Sequence, residues 1–411
     1  MVKKYKRWQQ DNIIKALKTR RVLMLLGPRQ SGKTTICKKI SSKDFIYRTL
    51  DDGHLQEAAF NDPTSFIKHD ESLLIIDEIQ RAPQLLLAIK KTVDEDDRVG
   101  QFLLTGSANI YSLPTSYESL AGRVRKIRLR VLSQGEIEGS KPKFLAQAFK
   151  QNFKNQTQIK CSQEDVLSRA FNGGFPEVLR LAKEERKSWH KDYISALLDR
   201  DLKDISNIKN VANTRLILEV LAAWSSKFMD VASISSTMGL SRDIVENSIS
   251  ALEILFIVEV IPAWFKTDYA RVTKRRKILM CDSGLMCSIL GYNDLSIRLN
   301  VDQLGKIVET FVFNELMVQI GLSQDEYTMF HYRDKDKREI DFVVERSDGS
   351  ILAIEVKSGT NISKDSFKHI KWFTENIAKD REVIAIVFYT GEYILSFGKN
   401  MWALPISILW E

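Results

Sequence analysis

The sequence predicts an α/β fold in three parts: a parallel sheet with crossover helices, a mostly helical middle, and a second α/β unit toward the C-terminal end. Three observations carry this expectation. Residues 21–26, Arg-Val-Leu-Met-Leu-Leu, read as a short buried strand that runs through a glycine-containing loop into a helical pattern from Gly32. Residues 73–76 and 102–104 are continuous apolar runs, the mark of strands covered on both faces, and they alternate with helical stretches. Beyond about residue 300 a helical pattern precedes two strand patterns, at 339–345 and 351–357.

Composition bounds the rest. A chain of 411 residues exceeds one ordinary core, so two to four domains are expected. Hydrophobic residues at 44% and charged residues at 28% fit a globular protein and argue against a disordered or fibrous one. No apolar run approaches the roughly 20 residues of a membrane helix, so no membrane association is expected. The basic start Met1-Val2-Lys3-Lys4-Tyr5-Lys6-Arg7-Trp8 leads into no apolar signal region, which predicts a cytoplasmic protein. Cys37, Cys161, Cys281 and Cys287 form no Cys-x-x-Cys pair, so neither zinc nor a disulfide framework is expected. The net charge of +8 is compatible with a nucleic-acid partner without requiring one.

Gly27-Pro28-Arg29-Gln30-Ser31-Gly32-Lys33-Thr34, followed by Thr35, matches G-x-x-x-x-G-K-[ST] between a strand and a helix. The loop must turn its backbone N–H groups around phosphates, which glycine permits, and the next helix offers its positive end to the same anion. Lys33 would add charge at the β- and γ-phosphates, and the Thr34 hydroxyl would ligate magnesium. ATP and Mg2+ are therefore the expected cofactors. Asp77 and Glu78 end the second apolar strand, where ligands bind in such sheets. Asp77 reads as a magnesium ligand acting through water, and Glu78 as the group that orients the attacking water. A third strand leads into Thr105-Gly106-Ser107-Ala108-Asn109, where Ser107 or Asn109 is expected to touch the γ-phosphate or the water. Arg123, with Arg125 second, is the candidate arginine for the γ-phosphate of a neighbouring subunit, which implies a homo-oligomer formed through this domain.

These motifs resemble a prokaryotic group of AAA-type (AAA+ superfamily) P-loop ATPases with an additional C-terminal domain resembling a restriction endonuclease. The resemblance rests on Asp77-Glu78-Ile79-Gln80, Thr105-Gly106-Ser107, Ala121-Gly122-Arg123, Gly174-Phe175-Pro176-Glu177 and Asp199-Arg200-Asp201-Leu202. It covers nearly the whole chain and implies an AAA-like fold with nucleotide hydrolysis. The expected division is an ATPase core at 1–140, a helical lid or connector at 141–211, a winged-helix-like domain at 212–290 and a restriction-endonuclease-like domain at 291–411. A loose polar connection is expected at 140–165, rich in Lys, Gln and Asn.

The middle reads as a winged helix from its punctuation. Residues 231–238 would be the first helix of a helix-turn-helix, Gly239-Leu240-Ser241 its turn, and Val245, Ile249 and Leu252 the buried face of the next helix. That second helix carries Asp243, Glu246 and Glu253, which would repel phosphate, so packing is expected of it more than base reading. The run Arg271-Val272-Thr273-Lys274-Arg275-Arg276-Lys277 holds five positive charges in seven residues and reads as a backbone grip or a solvated loop.

Toward the C-terminus, Glu355 and Lys357 share a strand face, and Asp341 on the neighbouring strand can join them. Two carboxylates that hold a metal, with a lysine beside them, resemble the PD-(D/E)xK nuclease signature. Glu309, on the preceding helix, is a candidate additional acid. Ile340 stands where that signature commonly has proline.

The function expected is Mg-dependent ATP hydrolysis driving or switching an action on nucleic acid, DNA ahead of RNA, with a C-terminal domain that cleaves or binds. The alternative is an ATP-dependent switch for protein partners with a catalytically inactive C-terminal interaction domain. A small-molecule kinase is disfavoured because Asp77-Glu78 suits water activation.

Overall fold

The computed structural model describes residues 5–40, 45–70, 72–109, 122–202, 210–267, 275–292, 300–323 and 326–411. Five strands form the N-terminal sheet: β1 (Val22–Leu26), β2 (Phe45–Thr49), β3 (Leu73–Asp77), β4 (Phe102–Gly106) and β5 (Val124–Arg128). Their order is β2-β3-β4-β1-β5, and every pairing is parallel. β1, β3 and β4 are buried at every position. Their alternate side chains enter separate cores: Leu23, Leu25, Ile75 and Leu103 pack with Ile13 and Ile36 on one face, while Val22, Met24, Leu74 and Leu104 pack with Ile89 and Val93 on the other. That two-sided burial is the physical reason these strands read as unbroken apolar runs.

The connection expected to be loose is instead packed. Helix Phe144–Phe149 buries Phe144, Leu145, Ala148 and Phe149. Backbone N–H groups of Gln156 and Ile159 donate to Ile394 and Glu392 near the C-terminal end of the chain. Polar composition misled here because the few apolar residues that pack, Phe144 to Phe149 in one short helix and Phe153, Ile159 and Cys161 beyond it, are scattered among Lys, Gln and Asn.

From 211 the order is helix Val211–Ala223, β6 (Lys227–Phe228), helices Val231–Met238 and Arg242–Ile254, then β7 (Val258–Ile261) and β8 (Lys277–Met280). Gly239 ends the first of the paired helices at φ 64°, and the Ser241 hydroxyl caps the second by accepting from the Ile244 N–H at 3.3 Å. β8 is the central strand, flanked antiparallel by β6 and β7.

The C-terminal sheet has six strands: β9 (Tyr327–Arg333), β10 (Glu339–Arg346), β11 (Ile351–Lys357), β12 (Val383–Tyr389), β13 (Leu395–Gly398) and β14 (Met401–Pro405). They lie in the order β13-β14-β12-β11-β10-β9. β9, β10 and β11 form an antiparallel meander, and β11, β12 and β14 run parallel. Helix Val301–Ile320 buries one face of this sheet and Lys368–Asn376 the other. The core under Val301–Ile320 is continuous with that of the middle, one apolar cluster running from Ala108 to Trp410. This cluster runs across positions 211 and 290, where the type of element changes.

Candidate nucleotide site and C-terminal acidic cluster

The phosphate loop follows β1 directly. A Cβ on Gly27 would lie 2.0 Å from the Leu129 carbonyl oxygen, so only glycine fits that approach, and Gly32 needs its φ of +95°. Helix Lys33–Ile40 begins at the loop's end, which aims its free N–H groups at the turn. Lys33 is buried and donates to the Gly27 and Pro28 carbonyls at 3.0 and 2.9 Å. Burial lowers its ammonium pKa, and Glu78 and Asp77 offset only part of that effect.

Asp77 ends β3 at 4% exposure and gathers hydroxyls from three elements. Thr34 Oγ1 donates to it at 2.9 Å, and Tyr47 and Thr105 donate as well. A hydroxyl and a carboxylate this close are hard oxygen donors, so Thr34 and Asp77 fit magnesium. Glu78 adopts the left-handed conformation, φ 59°, which turns its side chain out of the strand. Ser107 Oγ donates to it at 2.7 Å, the Ser107 N–H at 3.3 Å, and Gln80 Nε2 bonds both Glu78 and Ser107. Burial alone would raise the Glu78 carboxyl; Lys33 and these hydrogen bonds outweigh it and hold the group below its ordinary range. Asn109, the alternative to Ser107, donates its N–H to the Ile254 carbonyl instead.

Glu78, Gln80, Ser107, Arg29, Arg200 and Asp201 line one cavity of about 440 Å³. Arg29 Nη1 donates to both Asp201 oxygens, at 2.8 and 2.9 Å, tying the loop to a π-helical turn, Leu197–Asp201. On the other side of the loop a smaller cavity of about 90 Å³ is lined by Tyr5, Arg7, Thr35, Ile36, Pro176 and Arg180. Arg7 fixes this wall by donating to the Ser31 carbonyl at 2.7 Å and pairing with Glu136 at 3.1 Å.

A family model described as an AAA domain matches residues 19–138. This segment is an AAA-type P-loop ATPase domain. Two further models, each described as a domain of unknown function (DUF8612 and DUF4143), match residues 163–296 and 304–409. Uncharacterized proteins of Mycobacterium tuberculosis and Mycobacterium bovis are 26% identical over 95% of this chain and 81% of their own length. Among solved structures, a Walker-type ATPase of Pyrococcus abyssi aligns at TM-score 0.42 and 13% identity, covering 68% of this chain and 94% of that one. AMPPCP-bound DnaA from Aquifex aeolicus aligns at TM-score 0.27 and 13% identity, over 59% and 85%.

Within the AAA domain, Gly27 to Thr35, Asp77, Glu78 and Ser107 come together at the C-terminal ends of β1, β3 and β4. Arg123 does not join them. It precedes β5, whose first residue pairs with Val22 at the start of β1, and it forms an ion pair with Asp94. The length of β1, about 3.3 Å per residue, separates it from its own phosphate loop. Residues 110–121, which include Ala121 of the Ala-Gly-Arg stretch, lie outside the described residues.

Sequence reasoning missed Tyr47, which nothing distinguishes from an ordinary strand residue. It gave no role to Gln80, Arg200 or Asp201, although their motifs were noted. Asp201 is 172 positions from Arg29, so only folding reveals the pair.

The C-terminal candidates lie on β10, on β11 and on helix Val301–Ile320. Asp341 and Glu355 fall on facing positions of antiparallel β10 and β11, where Phe342 pairs with Ile354, and β10 slips register against β9 between Ile340 and Val343. Lys277 reaches into this group of acids. This lysine, expected in a basic run that grips a backbone or stays solvated, is fully buried in β8. Its Nζ lies 2.5 Å from Glu309 Oε1, 3.4 Å from Glu339 Oε1 and 3.5 Å from Asp341 Oδ1. The Val356 N–H donates to Asp341 Oδ2 at 2.8 Å, and Lys357 donates to Glu355 at 3.0 Å. Burial and the neighbouring Asp341 push the Glu309 and Glu355 carboxyls above their ordinary range, against the pull of Lys277 and Lys357. Among the described residues no group of three His, Cys, Asp or Glu could hold a metal. Of the rest of the run, Arg275 pairs with Asp230 at 3.3 Å, and residues 271–274 lie outside the described residues.

Proposed function

We propose that this chain hydrolyses ATP with magnesium and uses the cycle to act on nucleic acid in the cytoplasm. The observation that carries the first half is the adjacency of Thr34 and Asp77 with Glu78 beside them. Thr34 and Asp77 would hold the ion, which would neutralise charge on the β- and γ-phosphates. Glu78, kept ionised by Lys33, Gln80 and Ser107, would orient and polarise the attacking water. The smaller cavity beside Arg7 and Pro176 suits the nucleoside end of the same ligand. Four free, buried cysteines favour a reducing compartment.

Support for a nucleic-acid partner comes from a cleft between the β6–β8 sheet and the β9–β10 turn. A space of about 810 Å³ there is lined by Phe228, Phe265, Trp372, Arg333, Lys335 and Lys337, among others. Aromatic rings beside cations suit stacked bases and a phosphate chain. Asp334 and Asp336 also border it, but Arg338 pairs with both at 2.9 Å. The order helix, strand, two helices and a strand pair favours the winged-helix reading of 212–290. Helix Arg242–Ile254 exposes Asp243 and Glu246, so the cleft suits the ligand better than that helix does.

Those exposed acids favour the second reading, a switch for protein partners. Salt separates the two. Binding of a fluorescent single-stranded oligonucleotide should weaken with salt at a log–log slope of about −0.7 per cation engaged. The double variant Lys335→Ala/Lys337→Ala should flatten that slope by about 1.4, and Trp372→Ala should cost about 1–3 kcal/mol. Binding that is absent at low salt, or indifferent to all three residues, would favour the protein-partner switch.

A further inference from the structure

We propose that Lys277 stands permanently where a divalent cation would sit in the C-terminal acidic cluster. The cluster is then an internal ionic clasp between β8 and the C-terminal sheet, and not a metal-dependent cleavage centre. This goes beyond the ATPase reading and does not depend on it.

The geometry points to this from three sides. First, the ammonium is surrounded. Its contacts come from helix Val301–Ile320 through Glu309 and from β10 through Glu339 and Asp341, at 2.5, 3.4 and 3.5 Å. The rings of Phe342 and Phe228 lie 5.5 and 5.9 Å from it. With no exposed surface, the charge has no route to water short of moving β8. Second, the acids are committed. One Asp341 oxygen faces Lys277, and the other accepts the Val356 N–H at 2.8 Å. Glu355 accepts from Lys357 at 3.0 Å. Magnesium demands near-octahedral oxygens at about 2.0–2.1 Å, and an ammonium among these same carboxylates excludes it by volume and by charge. Third, the lysine comes from outside the C-terminal sheet. β8 pairs with β6 and β7, and Lys277 faces Ile261 across the β7 pairing. A cation supplied by the neighbouring unit holds that unit in place, and a buried charge stripped of its partners is costly. The clasp therefore gives the β6–β8 sheet one fixed seat on the C-terminal sheet.

Manganese binding tests the assignment. Nucleotide-free protein is titrated with MnCl2, and free Mn2+ is followed by electron paramagnetic resonance. Asp77→Asn serves as the background, so that the phosphate-loop site is silent. In that background the protein should show no Mn2+ site that Asp341→Asn removes. Lys277→Met, which keeps the apolar stem and loses the charge, should gain one site at least tenfold tighter, and adding Asp341→Asn should abolish it. An Asp341-dependent Mn2+ site with Lys277 intact would overturn the proposal. So would a folded Lys277→Met protein that binds no more Mn2+ than its parent. If Lys277→Met does not fold, the comparison with and without Asp341→Asn decides alone. ATP turnover of Asp341→Asn in otherwise wild-type protein reports separately on the AAA domain and should be unchanged.

Discussion

At the scale of single residues, the nucleotide site works by opposing burial with charge. Glu78 is buried enough to favour its neutral form, yet Lys33 and two hydrogen-bonding neighbours keep it ionised. Its left-handed backbone is the local strain that turns the carboxylate off β3, while Asp77, one position earlier, stays in the strand and faces Thr34. On the proposed mechanism these neighbouring acids take different roles, Asp77 with the ion and Glu78 with the water. Glu78→Gln should therefore keep nucleotide binding and lose hydrolysis by about 10²–10⁴-fold, the usual worth of a positioned acid–base group. Lys33→Ala should weaken nucleotide binding as well as abolish turnover, because it removes charge from the phosphates themselves. A fluorescent nucleotide titration beside a phosphate-release assay separates the two variants. Turnover at the wild-type rate in Glu78→Gln would remove Glu78 from its role.

Elements decide what single residues cannot. In a parallel sheet all strand ends of one kind gather at one edge, so Gly27, Asp77 and Thr105 meet, whereas Arg123, at the start of β5, is carried to the far edge. Its ion pair with Asp94, a side chain about one-third exposed, holds it loosely at the surface. This position is far from its own phosphate loop and is compatible with the proposal that Arg123 serves the γ-phosphate of another copy of the chain. Mixing Arg123→Ala with Lys33→Ala protein should restore ATP turnover, because each supplies the intact half of one composite site. Full turnover at dilutions where only monomer exists would exclude this. The same logic makes the π-helical turn Leu197–Asp201 a reporter of the loop. Arg29 and Asp201 are joined by two short bonds from one guanidinium nitrogen, so a loop that shifts around phosphate must carry the turn or break the pair.

Across the whole molecule, one apolar cluster binds together what the element pattern divides. Phe144 lies 5.3 Å from Phe388, ring to ring, and Phe311 5.9 Å from Trp410. Helix Val301–Ile320 buries Phe313 against Phe342 and also contacts the helices Gln163–Asn172 and Ser283–Ile289. A fragment ending at residue 300 would expose this seam, and exposed apolar area of that kind drives aggregation. We expect such a fragment to be insoluble while the full chain unfolds in one cooperative transition through the middle and C-terminal segments. A monodisperse fragment with the native melting temperature would show that the seam is dispensable. The parallel sheet, the phosphate loop, Asp77 and Glu78 at the strand end, and the capped helix pair around Gly239 could be read from the chain, because each depends on periodicity or on neighbours a few positions apart. Three other features emerge only on packing: residues 144–149 become core, Asp201 meets Arg29, and Lys277 becomes a buried counter-ion. A lysine in a basic run has the same local signature whether it meets water or carboxylates. The acids that claim it stand 32, 62 and 64 positions away, at Glu309, Glu339 and Asp341, and only the packing of β8 against the C-terminal sheet brings them together.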